Sequence, residues 1–183
     1  MVKTPSGNQF LNPQEILGRI GVKEGMIVGD LGSGSGYFTF QAAKMVGNNG
    51  IVYALDIQKN ALSALKSKAE FLGIKNIKLV WSNLEVVGAA RRIANESLDL
   101  ALLVNVLHQS KAHNNMFAEA HRMVKKGGMV LVVDWKESKL AFAPPTENLI
   151  RKDAAVRAAE SQGLVKTDDF EASEQHYGLL FQK

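Results

Sequence analysis

The chain contains no cysteine and only four prolines among its 183 residues. Without thiols it can form no disulfide, thiolate zinc site, iron–sulfur cluster or cysteine nucleophile, so any chemistry must use other groups. No apolar stretch approaches the roughly 18 residues that a membrane span needs, and the start "MVKTPSGNQF" lacks the apolar centre of a secretory signal. We therefore expect a soluble, cytoplasmic protein with no membrane partner.

The chain also lacks a continuous run of one charge, although its net charge is +4 and its pI is near 9.3. Three cationic pairs are scattered along the chain and interleaved with acids: Lys66/Lys68, Arg91/Arg92 and Lys125/Lys126. Such a distribution is typical of a solvated surface and disfavours a nucleic-acid groove. It does not exclude a nucleic acid as partner.

What the sequence does contain is a regular alternation of strand and helix patterns. Five short segments rich in Val, Ile and Leu are typical of strands buried on both faces: 26–30, 51–56, 77–81, 98–105 and 129–134. Apolar residues at helical spacing lie between them. This alternation, with glycine-marked turns between the segments, predicts right-handed crossovers and an α/β fold with an open, mostly parallel, doubly wound sheet and helices on both faces.

The pattern changes after Asp134. "APPTENL" interrupts the chain, a helix is predicted from about Glu147 to Gln162, and two strand-like segments follow without a helix between them. The segments predict a closing hairpin, which brings the sheet to seven strands with an antiparallel C-terminal strand. We expect residues 1–183 to form one domain, with residues 1–20 as an N-terminal segment.

The stretch "VGDLGSGSGYF" places Gly32, Gly34 and Gly36 at alternate positions directly after the first strand. In doubly wound sheets this turn commonly holds a ligand, because glycines admit it against the main chain and the following helix offers free amides. We interpret the three glycines as a ligand-binding turn, since turning alone does not require all of them.

Asp56, at the end of the second strand, is the second marker of a nucleoside site. A carboxylate there can accept hydrogen bonds from both hydroxyls of a ribose. A dinucleotide fingerprint would have the spacing G-x-G-x-x-G, whereas this turn has G-x-G-x-G with an acid before it. A nicotinamide cofactor is therefore disfavoured.

Taken together, these segments resemble the class I S-adenosylmethionine-dependent methyltransferases. The resemblance rests on "VGDLGSGSGYF", "VYALDI", "WSNLE", "LLVNVLH" and "VKKGGMVLVVDW". "NVLHQ", "VVDWK" and the closing "HYGLLFQK" are similar to the small-molecule methyltransferases related to the menaquinone and ubiquinone biosynthetic enzymes. The resemblance implies S-adenosyl-L-methionine as the cofactor and a small molecule as the methyl acceptor.

The resemblance also implies a role for individual residues. Asp30 and the backbone around Gly32, Ser33 and Gly34 would hold the methionyl amino group. Asp56 would bind the ribose, with Ile57 packed on the adenine. Ser82, Asn83 and Leu84 would frame the edge of the adenine. Asn105 would place its carbonyl near the methionine moiety.

Asn83 departs from the family pattern, in which many members carry aspartate. An amide keeps an oxygen that accepts a hydrogen bond from the exocyclic amine, but it loses the charge. The substrate-binding insertions of the family are also nearly absent. These are the parts that usually determine the acceptor.

Methyl transfer from a sulfonium needs chiefly alignment, and a base where the acceptor carries a proton. His108, at the exit of the fourth strand, is our candidate base, and a structural or substrate-shaping role is the alternative. Asp134, at the end of the fifth strand, would orient a base or the acceptor, or else cap the sheet edge. We assign no metal ligands.

Three functions stay open. The favoured one is a small-molecule methyltransferase; the runner-up is an RNA or other nucleic-acid methyltransferase, although the "NVLH" segment is not the motif associated with amino methylation of bases. The third is a cofactor-binding protein without transfer activity. Gln9 and Phe10 are candidates for a lid over the cofactor. The sequence does not indicate an oligomeric state.

Overall fold

Aliphatic and β-branched segments form most strands of the sheet, as predicted, whereas the edge strand at residues 165–173 is largely polar. A computed structural model describes residues 11–138, 140–141 and 143–183. The strands are β1 (Ile27–Leu31), β2 (Ile51–Asp56), β3 (Ile77–Trp81), β4 (Leu98–Val104), β5 (Val124–Trp135), β6 (Val165–Ser173) and β7 (His176–Gln182). The helices are α1 (Pro13–Arg19), α2 (Tyr37–Val46), α3 (Lys59–Phe71), α4 (His113–Met123) and α5 (Lys152–Glu160).

The seven strands form one sheet in the order β3-β2-β1-β4-β5-β7-β6. Strands β1 to β5 are parallel, and β7 pairs antiparallel with both β5 and β6. The predicted α/β class, seven strands and antiparallel C-terminal strand are confirmed. Because β1 lies between β2 and β4, the chain reverses its direction of travel across the sheet at β1, and ligands of such sheets bind at this switch point.

Each face of the sheet is covered by helices. Strand residues such as Leu103 and Val132 pack with α4 and α5 on one face, and residues such as Val28 and Val133 pack with α1 and α2 on the other. Helix α3 lies against β2 and β3. Among the described residues, no helix has both the length and the apolar character that crossing a bilayer requires.

Several predicted boundaries were wrong: the strands predicted at 26–30 and 98–105 differ from the observed ones by one residue at their ends, and two predicted starts differ by more. Strand β5 begins at Val124 rather than at Met129, because the Gly127–Gly128 segment pairs with the last residue of the chain: Gly127 N–H donates to the Lys183 carbonyl at 2.9 Å. Helix α5 begins at Lys152 rather than near Glu147. Leu149 and Arg151 have extended backbones, and Ile150 between them is buried in the core. Packing of this segment overrides the helical pattern.

Candidate active site

The glycine turn after β1 is folded against the end of β2. The amides of Gly32 and Ser33 both donate to the Leu55 carbonyl at 2.8 Å, and the amide of Gly34 donates to Asp56 Oδ2 at 2.8 Å. The turn is therefore fixed by the neighbouring strand before any ligand binds.

The three glycines of the turn have different surroundings, although all have positive φ. A Cβ at Gly32 would lie 2.6 Å from the Val106 side chain, and one at Gly36 would lie 2.9 Å from Leu65. A Cβ at Gly34 (φ +51°) would meet nothing within 4 Å. Packing and backbone conformation thus explain Gly32 and Gly36, and only Gly34 faces open space.

A cleft of about 250 Å³ opens beside Gly34 at the carboxyl ends of the strands. It brings together seven of the predicted cofactor residues: Gly32, Gly34, Asp56, Ile57, Ser82, Asn83 and Leu84. We call this the strand-end cleft. A larger groove of about 940 Å³ runs along α1, α2 and the end of α3 and contains no predicted site residue. The strand-end cleft is the candidate site because it lies at the switch point of the sheet.

Asp56 is nearly buried at the edge of this cleft, with 8% of its surface exposed. Its two carboxylate oxygens accept hydrogen bonds from the amides of Gly34 and Gln58, each at 2.8 Å. A carboxylate offers about four acceptor positions, so each oxygen retains one for a ligand hydroxyl. The two amides also fix the plane of the carboxylate.

Two buried serine hydroxyls near the turn have no hydrogen-bond partner among the described residues. Ser33 and Ser82 are each 5% exposed, and the Oγ of each is without a partner there. Buried polar groups are almost always paired in proteins. Ser82 lines the strand-end cleft, so a polar ligand there would satisfy its hydroxyl. The donor set therefore fits a nucleoside with several hydroxyl and amino groups.

Asn83 uses part of its amide locally. Its Oδ1 accepts from the Glu85 amide at 2.9 Å, which closes a short turn at the end of β3. The second lone pair of Oδ1 remains for an adenine amine. Leu84 is buried beside it and Ile57 is 55% exposed, as expected for an apolar residue that would lie against a base.

Asp30 lies beneath the glycine turn and does not line the cleft. It is 2% exposed, and the Thr39 hydroxyl of α2 donates to its Oδ2 at 2.5 Å. Burial raises the pKa of Asp30 to about 6, against the opposing effect of the Thr39 hydroxyl, and the nearby Asp56 charge adds to the increase. A cationic ligand group above the turn would favour the ionised form of Asp30.

Asn105 has a left-handed backbone at the exit of β4, with φ +52°. Its amide still donates to the Val133 carbonyl of β5 at 2.8 Å, but its own carbonyl accepts from Gln109 Nε2 at 2.7 Å. Asn105 is 8% exposed and does not line the strand-end cleft, whereas Gln109 does.

His108 and Asp134 form a hydrogen-bonded pair. His108 Nδ1 lies 2.8 Å from Asp134 Oδ1, and the fully buried Asp134 also accepts from the amides of Leu107 (2.9 Å) and Trp135 (2.8 Å). Because the carboxylate accepts from Nδ1, the proton of neutral His108 belongs on Nδ1 and the lone pair on Nε2. This is the tautomer that a general base requires.

A second histidine, His176, is packed on the opposite face of the same strand ends. Its ring lies 4.3 Å from that of Trp135, and its Nδ1 is 2.9 Å from Ser173 Oγ. Burial lowers the pKa of His176 to about 4, opposed by the Asp134 charge and reinforced by His108 and Lys136. His176 is therefore neutral near pH 7.

Several residues of the site were not predicted from the sequence. The cleft is also lined by Gln58, Glu85, Val106, Gln109, Ser110 and Met116. Gln58, Glu85 and Val106 directly follow predicted site residues, so strand-end position could have indicated them. Met116 has no such signal, because it belongs to the apolar face of α4. The candidate lid residues, Gln9 and Phe10, lie outside the described residues.

Comparison with known proteins assigns the chain to a family. A family model described as a methyltransferase domain matches residues 22–178. The chain belongs to this methyltransferase family. It is 33% identical over 68% of its length to the ubiquinone/menaquinone biosynthesis C-methyltransferase UbiE of Photorhabdus laumondii, covering 47% of that protein. It is 28% identical over 85% of its length to an arsenite methyltransferase of Aquipseudomonas alcaligenes, covering 44% of it.

A solved structure agrees with this assignment. A SAM-dependent methyltransferase from Aquifex aeolicus is similar with a TM-score of 0.87 and 25% identity, over 98% of this chain and 94% of the other. The predicted family and its cofactor, S-adenosylmethionine, are thus confirmed. The chain spans about half the length of the curated relatives it matches.

Proposed function

We propose that the protein transfers the methyl group of S-adenosylmethionine to a small-molecule acceptor. The observation that carries this proposal is the strand-end cleft, which is lined by the open side of Gly34, the fixed carboxylate of Asp56 and Ser82. Within the part of the chain that the structure describes, the Ser82 hydroxyl has no hydrogen-bond partner. These groups suit a ribose, a base and a ligand chain that lies against the backbone at Gly34.

In this proposal six of the predicted cofactor residues have a physical task. Asp56 accepts hydrogen bonds from the ribose hydroxyls. Ile57 and Leu84 pack against the adenine, and Ser82 and Asn83 form hydrogen bonds with the edge of the adenine ring. The ionised Asp30 lies under the glycine turn, where its charge favours a bound ammonium group. Bound S-adenosylmethionine supplies a sulfonium methyl group that a nucleophile can displace.

In the transfer reaction, the residues of this chain align the acceptor and remove its proton. His108 presents Nε2 as the acceptor of that proton, and Asp134 holds Nδ1–H and stabilises the imidazolium that results. Asp134 is held in turn by backbone amides of Leu107 and Trp135. A histidine fixed in this way is already oriented, so little entropy is lost when it acts as a base.

The relatives have different names, one for a C-methyltransferase of ubiquinone/menaquinone biosynthesis and another for an arsenite methyltransferase. This chain has no cysteine, so it offers no thiolate to a soft, thiol-seeking acceptor. A protonated carbon or oxygen nucleophile is consistent with a histidine base. We therefore propose an acceptor of that kind.

The test uses S-adenosylmethionine labelled in its methyl group with a panel of hydroxyaryl, enol and carboxylate compounds. We expect label in a small-molecule product, and we expect His108→Gln to slow transfer by roughly 10²- to 10⁴-fold with unchanged affinity for S-adenosylhomocysteine. Transfer to RNA instead, or cofactor binding without transfer to any acceptor in the panel, would contradict the proposal.

A further inference from the structure

The carbonyl group of Asn105 is turned out of the sheet. With φ +52°, Asn105 keeps its amide in the ladder to Val133 while its carbonyl oxygen leaves the β4–β5 pairing. Asparagine tolerates this conformation better than most residues. The result is a backbone acceptor at the rim where β4 ends, next to the glycine turn that Val106 contacts.

Gln109 covers this acceptor. Its Nε2 donates to the Asn105 oxygen at 2.7 Å, and Gln109 lines the strand-end cleft while Asn105 does not. The Gln109 side chain therefore approaches the Asn105 carbonyl oxygen from the cleft side. Its N–H group takes the hydrogen-bonding position that a donor group of a ligand in the cleft could otherwise take. Gln109 is itself exposed, so its side chain has room to move away.

We propose that Gln109 is a specificity-determining residue, which competes with the amino group of the cofactor for the Asn105 carbonyl. The inference rests on the proposed function, which places the methionine part of the cofactor at this rim. An ammonium group forms a charge-assisted hydrogen bond, roughly twice as strong as the bond from a neutral amide, and so displaces Gln109.

The competition has a selective consequence. Ligands that carry the amino acid part must break the Gln109 bond, whereas nucleosides without it leave the bond in place. Gln109 therefore lowers the affinity for S-adenosylmethionine and S-adenosylhomocysteine and does not affect 5′-methylthioadenosine, which shares the adenine, ribose and thioether. A weaker hold on S-adenosylhomocysteine would hasten release of the product.

Calorimetric titration of both nucleosides tests this with Gln109→Leu, which keeps the bulk and removes the donor. We expect S-adenosylhomocysteine to bind about threefold to tenfold more tightly to the variant, with the affinity for 5′-methylthioadenosine unchanged. The matched control is Gln58→Leu, at an exposed glutamine that lines the ribose end of the cleft; it should not change the ratio of the two affinities.

A second measurement follows the Gln109 side-chain amide by NMR, with its resonances identified by their loss in Gln109→Leu. S-adenosylhomocysteine should shift them and 5′-methylthioadenosine should not. The inference is overturned if Gln109→Leu changes both affinities equally, or leaves the affinity for S-adenosylhomocysteine unchanged or weaker. Wild-type protein that binds neither nucleoside would instead overturn the proposed function.

Discussion

Asp56 shows how one side chain can serve both the fold of the site and its ligand. Its oxygens hold the glycine turn through Gly34 and the start of α3 through Gln58. The sequence predicted a strand-end carboxylate as a ribose acceptor. It did not predict the two amides, because nothing in residues 32–34 indicates which strand end the turn folds against.

Replacing Asp56 with alanine should weaken S-adenosylhomocysteine binding about tenfold to a hundredfold, because charge-assisted hydrogen bonds contribute roughly 1.5–3 kcal/mol. Calorimetry measures the affinity, and thermal unfolding confirms that the variant is folded. 5′-Methylthioadenosine should lose a similar factor, since it carries the same ribose. Unchanged affinity in a folded variant would remove Asp56 from the site.

Asp30 predicts a pH dependence of stability. Its folded-state pKa is raised from 3.8 to about 6, so the folded protein favours the neutral carboxyl. The stability that the neutral form contributes is complete below pH 3.8 and is lost as the pH rises through about 6.

The variant Asp30→Asn should therefore become more stable than wild type as the pH rises from about 4 to about 6, by on the order of 3 kcal/mol above that range. Urea unfolding across this pH range measures the difference. Asp153→Asn is the control, because ion pairing lowers the pKa of exposed Asp153 and moves its titration below this window. If the difference in stability between Asp30→Asn and wild type does not grow with pH, folding does not raise the pKa of Asp30.

At the scale of elements, α4 organises the long loop between β3 and β4. Glu119 is fully buried and accepts from the amides of Gly88 (2.7 Å) and Ala90 (3.3 Å). Arg122 donates to Glu119 and to the Ile93 carbonyl. Burial works against ionisation, but these partners outweigh it and lower the pKa of Glu119. Helix α4 thereby holds the loop whose start forms a wall of the strand-end cleft.

The variant Glu119→Ala should lower the free energy of unfolding by about 3–5 kcal/mol, because it leaves Arg122 and two loop amides without their partner. Chemical denaturation measures this change. The control is Glu160→Ala, at an exposed residue of α5, which should have little effect. A loss below about 1 kcal/mol for Glu119→Ala would contradict the assigned role of the pair.

The elements themselves divide into those that the sequence predicts and those that it does not. Strand 51–56 was predicted with its observed bounds, because a parallel strand covered on both faces must be mostly apolar. Strand 77–81 was also predicted with its observed bounds, but it is the edge strand of the sheet, and Lys78 and Trp81 are exposed rather than buried as predicted. The start of β5 and the loop before β4 depend on partners far along the chain, Lys183 and Glu119. Local pattern carries no information about such partners.

At the scale of the whole molecule, the order of the strands creates the site. Because β1 lies between β2 and β4, Gly34, Asp56 and the β4 exit meet at one rim. Alternation of strands and helices predicted a ligand site at the glycine turn and Asp56, and the resemblance to the methyltransferases added Asn105 at the β4 exit. The pairing of His108 with Asp134 was predicted only as one alternative, and the cover of Gln109 over Asn105 was not predicted, since side-chain placement at a rim depends on tertiary packing.

Titration of S-adenosylhomocysteine into wild type and Gly34→Val shows whether the cofactor lies against Gly34. We expect one site in wild type, no binding of NAD, and no detectable binding of S-adenosylhomocysteine to a variant that still unfolds cooperatively. Valine would fill the open side of Gly34 and strain its positive φ at a local cost of about 1–3 kcal/mol, while the core remains. Normal binding of S-adenosylhomocysteine to Gly34→Val would show that the cofactor does not lie against this glycine, and binding of NAD in its place would show that the site is not one for S-adenosylmethionine.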